Sequence, residues 1–393
     1  MSIAAPLTVA WTGNFAFEWL QDLPEPLRGL PKSHPVTWQR VLLTEFEKNP
    51  RLRLHIIALR KNIAQSLSFQ RNGVTFHVLK YYGGMRAPSF FWMDTLLIRR
   101  IFKKIQPDLV HAWGSESAAA FVSSRLGVPR LVTVQGLLTW YNEITPLSIF
   151  QKIEAWTEAL SMRRKGMVTT ESRFAIEYLR QKFPSVEIEQ IEHAPDWLFH
   201  RVERRPASDP IRFLTVGELN YRKGTDLLIR ALDELTPEIR FEVVLVGSAN
   251  ESFLAPLKAG LSPELRRRII FKTHLRPAEV ADELSKATMV LFPTRADTSP
   301  NVIKEAVVAG VPVIASNVGG IPDYIVPDEN GLLFSPGSLP EFIEVIRAAC
   351  RHPLFSRGQV NAASLEKNRE YLSPRRMAEL FFAAYQRVLK QAK

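Results

Sequence analysis

Eleven apolar runs, separated by stretches with helical spacing, set the strongest limit on how this 393-residue chain can fold. In the first half they lie at 7–11, 52–59, 74–80, 108–113, 130–134 and 168–170, and in the second at 211–216, 241–246, 268–271, 289–292 and 311–315. A strand with one face in water alternates between apolar and polar residues. A continuous run needs cover on both faces, which is what helices provide for a parallel sheet. Helical patterns at 37–48, 91–105 and 115–126, and again at 225–235, 278–286 and 302–309, provide that cover. Two such series predict an α/β protein of two Rossmann-like, doubly wound domains facing across a cleft, with ligands in the crevice at the carboxyl ends of the strands.

The segment 201–210, RVERRPASDP, is polar, carries two prolines and precedes a fresh strand. It divides the chain into a first domain over 1–205 and a second over 206–373. A last helix starts with Pro374 after Ser373, and the tail 374–393 has a route back to the first domain. No apolar run approaches the ~18 residues of a membrane-spanning helix, and the first eleven residues lack the basic flank and long apolar core of a secretory signal. Cys350 is the single cysteine, which excludes an intrachain disulfide or a cysteine-rich zinc site and suits a reducing cytoplasm. The net charge is +11, of which +9 falls in residues 1–205. Such an excess attracts phosphates, anionic lipid or nucleic acid; a solubilising surface explains it equally well. No nucleic-acid-binding motif accompanies it.

The stretch 293–334, PTRADTSPNVIKEAVVAGVPVIASNVGGIPDYIVPDENGLLF, is the richest in chemistry. A strand ends at Phe292, a loop carries Asp297, and a helix opens near Asn301. The amides of Thr298, Ser299, Asn301 and Val302 lie at or before that helix start, where an anion or a hydroxyl-rich ligand is favoured. Glu305 is one turn in. Two carboxylates at one strand-to-helix junction suit paired sugar or ribose hydroxyls, although Asp297 alone also reads as a plain helix N-terminal acid. A second element, 214–232, runs from a strand to Gly217, through a basic loop with Arg222 and Lys223, to a helix opened at 224–226. Two cations near a helix N-terminus make a diphosphate site; a solvated basic turn is the plainer reading.

These segments resemble glycosyltransferase family 4, the retaining enzymes with the GT-B fold. The family's E-x(7)-E motif appears as D-x(7)-E at Asp297 and Glu305, followed by EAVVAGVPVIAS and ENGLLF. The resemblance implies that Asp297 and the adjacent amides hold the donor sugar, that Glu305 holds the nucleotide ribose, and that Lys223 neutralises the leaving diphosphate. It also places the loop with His274, Leu275 and Arg276 beside the base. The family's arginine after the first glycine is Glu218 here, with Arg222 as a substitute. Asp297 is one methylene shorter than the family's glutamate, which bears on the choice of sugar.

In the first half, IQPDLVHAWG and GVPRLVTVQG resemble the family's N-terminal motifs, with Gln135 where the family has histidine. Gly13 matches one glycine of the family's loop after the first strand. Arg173 follows the family's serine, here Ser172, as an acceptor or cleft residue. The segment 14–35, with Phe15, Phe17 and Trp19, reads either as an acceptor lid or membrane-dipping loop or as a packed insertion. The helix 90–104, FFWMDTLLIRRIFKK, reads either as a helix lying on an anionic membrane or as one packed on its sheet with exposed cations.

The resemblance thus implies a hexosyltransferase moving a sugar from a nucleoside diphosphate sugar to a hydroxyl on a glycan, lipid-linked or small-molecule acceptor, with retention. No cofactor, metal or nucleic-acid partner is expected. Such an enzyme of glycan or cell-envelope biosynthesis would be cytoplasmic, or peripheral on the inner face of the plasma membrane. Two alternatives remain: a catalytically silent GT-B-like protein that binds sugar nucleotide, for which Glu218, Gln135 and Asp297 argue, and another GT-B enzyme such as an epimerase or an inverting transferase.

Overall fold

A computed structural model of the chain describes residues 5–31, 36–115, 118–144, 148–206 and 209–392. It divides into two compact units, one of Met1–His193 with Met377–Lys393, the other of Ala194–Arg376. The chain therefore enters the second unit before 201–210, and the last helix, Pro374–Ala392, belongs from Met377 onward to the first unit.

The first unit is built on eight strands: β1 (Leu7–Gly13), β2 (Leu52–Arg60), β3 (Leu67–Arg71), β4 (Val74–Lys80), β5 (Leu109–Trp113), β6 (Arg130–Thr133), β7 (Met167–Thr170) and β8 (Glu187–Gln190). Their spatial order is β3-β4-β2-β1-β5-β6-β7-β8. Every pair is parallel except β3 with β4, a hairpin turned at Asn72-Gly73, where both residues have positive φ. The order reverses between β1 and β5.

The second unit holds β9 (Ile211–Val216), β10 (Phe241–Val246), β11 (Ile269–Lys272), β12 (Met289–Phe292), β13 (Val313–Ser316) and β14 (Gly331–Phe334), all parallel, in the order β11-β10-β9-β12-β13-β14. Here the reversal falls between β9 and β12. The continuous apolar runs have their cause in this sheet. Phe213, Val243, Met289 and Leu291 point into one core with Leu228, Leu232 and Ile346. Their neighbours Leu214, Val244, Val290 and Phe292 point into the other, with Ile303 and Val307. The helices Thr225–Leu235, Asn301–Ala309 and Leu339–Arg351 supply those partners.

One expected segment packs onto the sheet, and one expected helix is shorter than its spacing suggests. Phe15 and Phe17 are buried, Phe15 against Phe76 of β4 and Phe17 under the Arg60 guanidinium, so the segment from Asn14 is a packed insertion over its described residues. The expected helix at 115–126 is shorter, Ala119–Ser123, and residues 116 and 117 lie outside the described residues.

Among the ties between the last helix and the first unit is one buried hydroxyl. Tyr385 is fully buried, and its oxygen accepts from Trp11 Nε1 at 2.9 Å and lies 2.8 Å from His111 Nδ1. The indole can only donate, and among the described residues the phenol proton has no acceptor other than His111. His111 is therefore protonated on Nε2, which donates to Thr133 Oγ1 at 2.6 Å, and Thr133 lies 2.7 Å from Thr169 Oγ1. Burial holds the His111 imidazole well below its ordinary range and so keeps it neutral. Tyr385→Phe should leave two buried polar groups unpaired. An unfolding free energy lowered by about 1–3 kcal/mol for each is expected in denaturant titrations that follow the first unit, and an unchanged midpoint would refute the network's role.

Candidate functional site

Both loops at the second unit's reversal carry predicted site residues, and the fold brings them together. The loop after β9 passes Gly217 and reaches Lys223; the loop after β12 reaches Asp297. Lys223 Nζ sits 2.5 Å from Asp297 Oδ2, with both side chains mostly enclosed. The two loops are clamped by backbone contacts. Arg295 N donates to the Arg222 carbonyl at 2.7 Å, and Thr294 Oγ1 donates to the same oxygen at 3.1 Å. The Arg222 guanidinium donates to the Ala296 carbonyl at 3.0 Å. Gly224 makes this approach feasible: its φ is +72°, and a Cβ there would lie 1.9 Å from the Pro293 carbonyl oxygen.

The sequence reading missed the outer brace of this clamp. Arg295 is bound to Asp226 by two bonds of 2.7 and 2.8 Å, donates to the Tyr221 carbonyl at 2.6 Å, and lies over the Tyr221 ring at 3.8 Å. It also missed Gly319, with φ +58°, where a Cβ would come within 1.8 Å of the Asp297 carbonyl oxygen. The paired glycines 319 and 320 after β13 were the available signal.

The helix start behaves in part as expected. The Ser299 amide already donates to Asp297 Oδ1 at 3.2 Å, in a turn of the kind aspartate favours. Ser299 Oγ lies 2.7 Å from the hydroxyl of buried Tyr324, which anchors the loop. Pro300 caps the helix without a side-chain bond. Among the described residues the amides of Asn301 and Val302 have no acceptor, which leaves two free donors at the positive end of the helix. Thr298 is buried beside them. Leu275 packs partly buried on the core beneath, His274 and Arg276 are exposed, and Glu218 is exposed.

Glu305 is one turn into this helix. It is half-buried. That burial pushes its carboxyl up to about 8, the Lys304 ammonium pulls it down, and the Asp196 carboxylate raises it further. Lys304 is itself fully buried, with Nζ 5.8 Å from the Tyr324 ring centre.

The remaining predicted residues lie in the first unit. Gly13 ends β1 and lines a cavity of about 410 Å³ at the carboxyl ends of β1, β2 and β4. Its charged lining is largely paired: Arg60 with Glu18 at 3.1 Å, and Arg86 with Asp94 at 2.7 Å. Lys61 and Asn62 complete its polar side. Gln135, just past β6, is half-buried, and Arg173 is exposed behind the Ser172 cap of helix Arg173–Lys182; neither lines this cavity. Among the described residues, no three His, Cys, Asp or Glu side chains are grouped to hold a metal ion.

Two parallel α/β units, each with polar loops gathered where its strand order reverses, define the GT-B class. Sequence comparison agrees. The family described as Glycosyltransferase Family 4 matches residues 50–196, and that described as Glycosyl transferases group 1 matches residues 210–352. The chain belongs to glycosyltransferase family 4. It is 28% identical over 159 residues to the sulfoquinovosyl transferase SQD2 of Arabidopsis thaliana, a match covering 40% of this chain and 29% of that protein, so the chain covers less than two thirds of this relative's length. Among solved structures, sucrose-phosphate synthase from Thermosynechococcus elongatus superposes with a TM-score of 0.79 at 17% identity, over 98% of this chain and all of that one. HepE from Anabaena, in complex with UDP-glucose, gives 0.72 at 13% identity, over 97% and 99%. At such identities the likeness concerns the fold.

The raised Glu305 carboxyl has a direct consequence for stability. Below its ordinary range it is protonated in both folded and unfolded chains. Between about 4.5 and 8 the unfolded chain releases the proton and the folded one retains it, so stability falls as pH rises through that window. Glu305→Gln should therefore gain melting temperature over the wild type progressively from pH 4.5 to pH 8. A constant difference across that range would show that the carboxyl is not held neutral.

Proposed function

We propose that the protein is a glycosyltransferase that moves a hexose-type sugar from a nucleoside diphosphate sugar to a hydroxyl acceptor, with retention and without a metal ion. The observation that carries this reading is the Lys223–Asp297 pair at the reversal of the second sheet, beside the two acceptor-free amides of Asn301 and Val302. The amides and Lys223 suit the diphosphate, Asp297 suits sugar hydroxyls, and Glu305 suits the ribose diol. The family supports a nucleotide sugar as donor, and HepE with UDP-glucose is an instance on the same fold. The cavity beside Gly13, with its mixture of paired charges and amides, supports a polar acceptor held by the first unit. A lipid-linked or envelope acceptor, reached from the inner face of the plasma membrane, suits the basic excess of residues 1–205.

In this reaction the bond from the anomeric carbon to the diphosphate oxygen breaks and a bond to the acceptor oxygen forms on the same face. The acceptor proton passes to the departing phosphate. Negative charge grows on that phosphate, so Lys223 contributes more in the transition state than in the ground state. Arg222 is partly engaged by the Ala296 carbonyl and contributes less. Lys223→Ala is expected to lower kcat by roughly 10²–10³, with a smaller change for Arg222→Ala, when nucleoside diphosphate release is followed over a panel of UDP-, GDP- and ADP-sugars. A protein that binds one of these donors and never turns it over would instead be a silent sugar-nucleotide binder. Conversion of the donor to its epimeric sugar nucleotide would mark an epimerase.

Glu305 adds a pH signature. A neutral carboxyl donates one of its bonds, whereas holding two ribose hydroxyls as donors requires the ionised form. Nucleoside diphosphate binding should therefore release a proton, and affinity should climb from pH 6 to about 8 and then level off. Calorimetry in two buffers of different ionisation enthalpy measures the proton count, and a Glu305→Gln variant should lose both the proton release and the pH dependence. Identical apparent enthalpies in the two buffers would exclude this role for Glu305.

A further inference from the structure

Two helices of the first unit present an outer surface that combines exposed aromatic and cationic side chains. Helix Trp92–Ile105 and helix Ile149–Met162 bury their inner sides, Ile98, Phe102, Ile153 and Leu160, in one core with Phe91 and Phe121. Their outer sides are apolar and aromatic: Trp92 is 46% exposed, Leu96 53%, Phe150 51% and Trp156 49%. The two helices share one continuous face. Phe90 stacks edge-on to Trp156 with ring centres 5.1 Å apart, and the Arg125 guanidinium lies 5.3 Å from the Phe90 ring and 4.7 Å from the Trp92 ring.

The charges on this face have one sign. The only acids on the two helices are Asp94, Glu154 and Glu158, and all three are buried. Asp94 is paired with Arg86, while Glu158 accepts from Ser115 and from the Thr139 amide and hydroxyl. Arg100, Lys103, Lys104 and Lys152 are exposed. Along the Trp92 helix the outward positions run apolar at Trp92 and Leu96, then cationic toward Lys103, so an aromatic tip and a cationic shoulder adjoin on one element. Tryptophan is at home at the headgroup level of a bilayer, and clustered lysine and arginine are drawn to anionic lipid. A second copy of the chain would bring like charges together across such a face, whereas an anionic bilayer complements it.

We infer that this face seats the first unit on an anionic lipid surface, with Trp92, Leu96 and Trp156 entering the headgroup layer and Arg100, Lys103 and Lys104 against lipid phosphates. The inference deepens the proposed membrane-side reaction, but the docking itself is independent of donor chemistry. The test is cosedimentation of the full chain with vesicles of phosphatidylcholine alone or mixed with phosphatidylglycerol, at low and high salt. The expected result is binding to the mixed vesicles that weakens with salt. It should fall at least about tenfold in Trp92→Ser/Leu96→Ser/Trp156→Ser and in Arg100→Gln/Lys103→Gln/Lys104→Gln, with nucleotide-dependent thermal stabilisation intact in both. Lys223→Ala should bind vesicles like the wild type, so a failed donor site leaves this test readable. Absence from phosphatidylglycerol vesicles at low salt, equal binding by the wild type and both triple variants, or a dimer that dissociates when the tryptophans are replaced would each overturn the inference.

Discussion

Parallel pairing sends the carboxyl ends of neighbouring strands to the same edge of the sheet, and the chemistry of this protein depends on that constraint. Where the strand order reverses, the connections on either side leave in opposite directions and open a crevice. In the second unit the reversal lies between β9 and β12, so the loop with Lys223 and the loop with Asp297 share that crevice, with 74 positions between them in sequence. Their contact is then fixed by backbone groups, with Arg222 and Thr294–Ala296 forming the clamp. In the first unit the same rule places the cavity beside Gly13 at the end of β1, next to the reversal toward β5.

How far the sequence could be read depended on how many faces and edges of each element were covered. All eleven continuous runs correspond to strands. The three strands without such a run, β3, β8 and β14, each lie at an edge of their sheet. An edge strand pairs on one side only, and its cover is thinner. β3 reads LSFQR with alternating exposure, and β8 reads EIEQ. In β3 and β8 the apolar continuity that signals an interior strand was therefore absent for a physical reason, whereas β14 reads GLLF and is simply short. The helix 115–126 was overextended because apolar spacing continues through Leu126, whereas the helix proper ends at Ser123.

The candidate site was legible wherever one residue type carried the role. Lys223, Asp297 and Glu305 stood out by charge at strand-to-helix junctions. Residues that act on other protein groups did not. Arg295 and Asp226 brace each other across 69 positions, and no local pattern announces such a pair. Nor did the sequence disclose that Lys304 is fully buried and that the carboxyl of half-buried Glu305, next to it in the chain, is driven toward its neutral form. A charged residue in sequence is charged by default; only its surroundings decide whether the folded chain keeps it so.

The buried hydroxyl of Tyr385 has a consequence for the order in which the protein is made. Trp11 and His111 are translated early, yet the group that satisfies them arrives near the end of the chain, after all of Ala194–Arg376 has been synthesised. At about 5–20 residues per second on the ribosome, the first sheet waits on the order of ten seconds or more for its last core helix. The later unit has its complete set of strands by then. Vectorial folding of this chain is thus inverted: the half that emerges first is the half that finishes last, and in the interval its unsealed core is the surface a chaperone would meet.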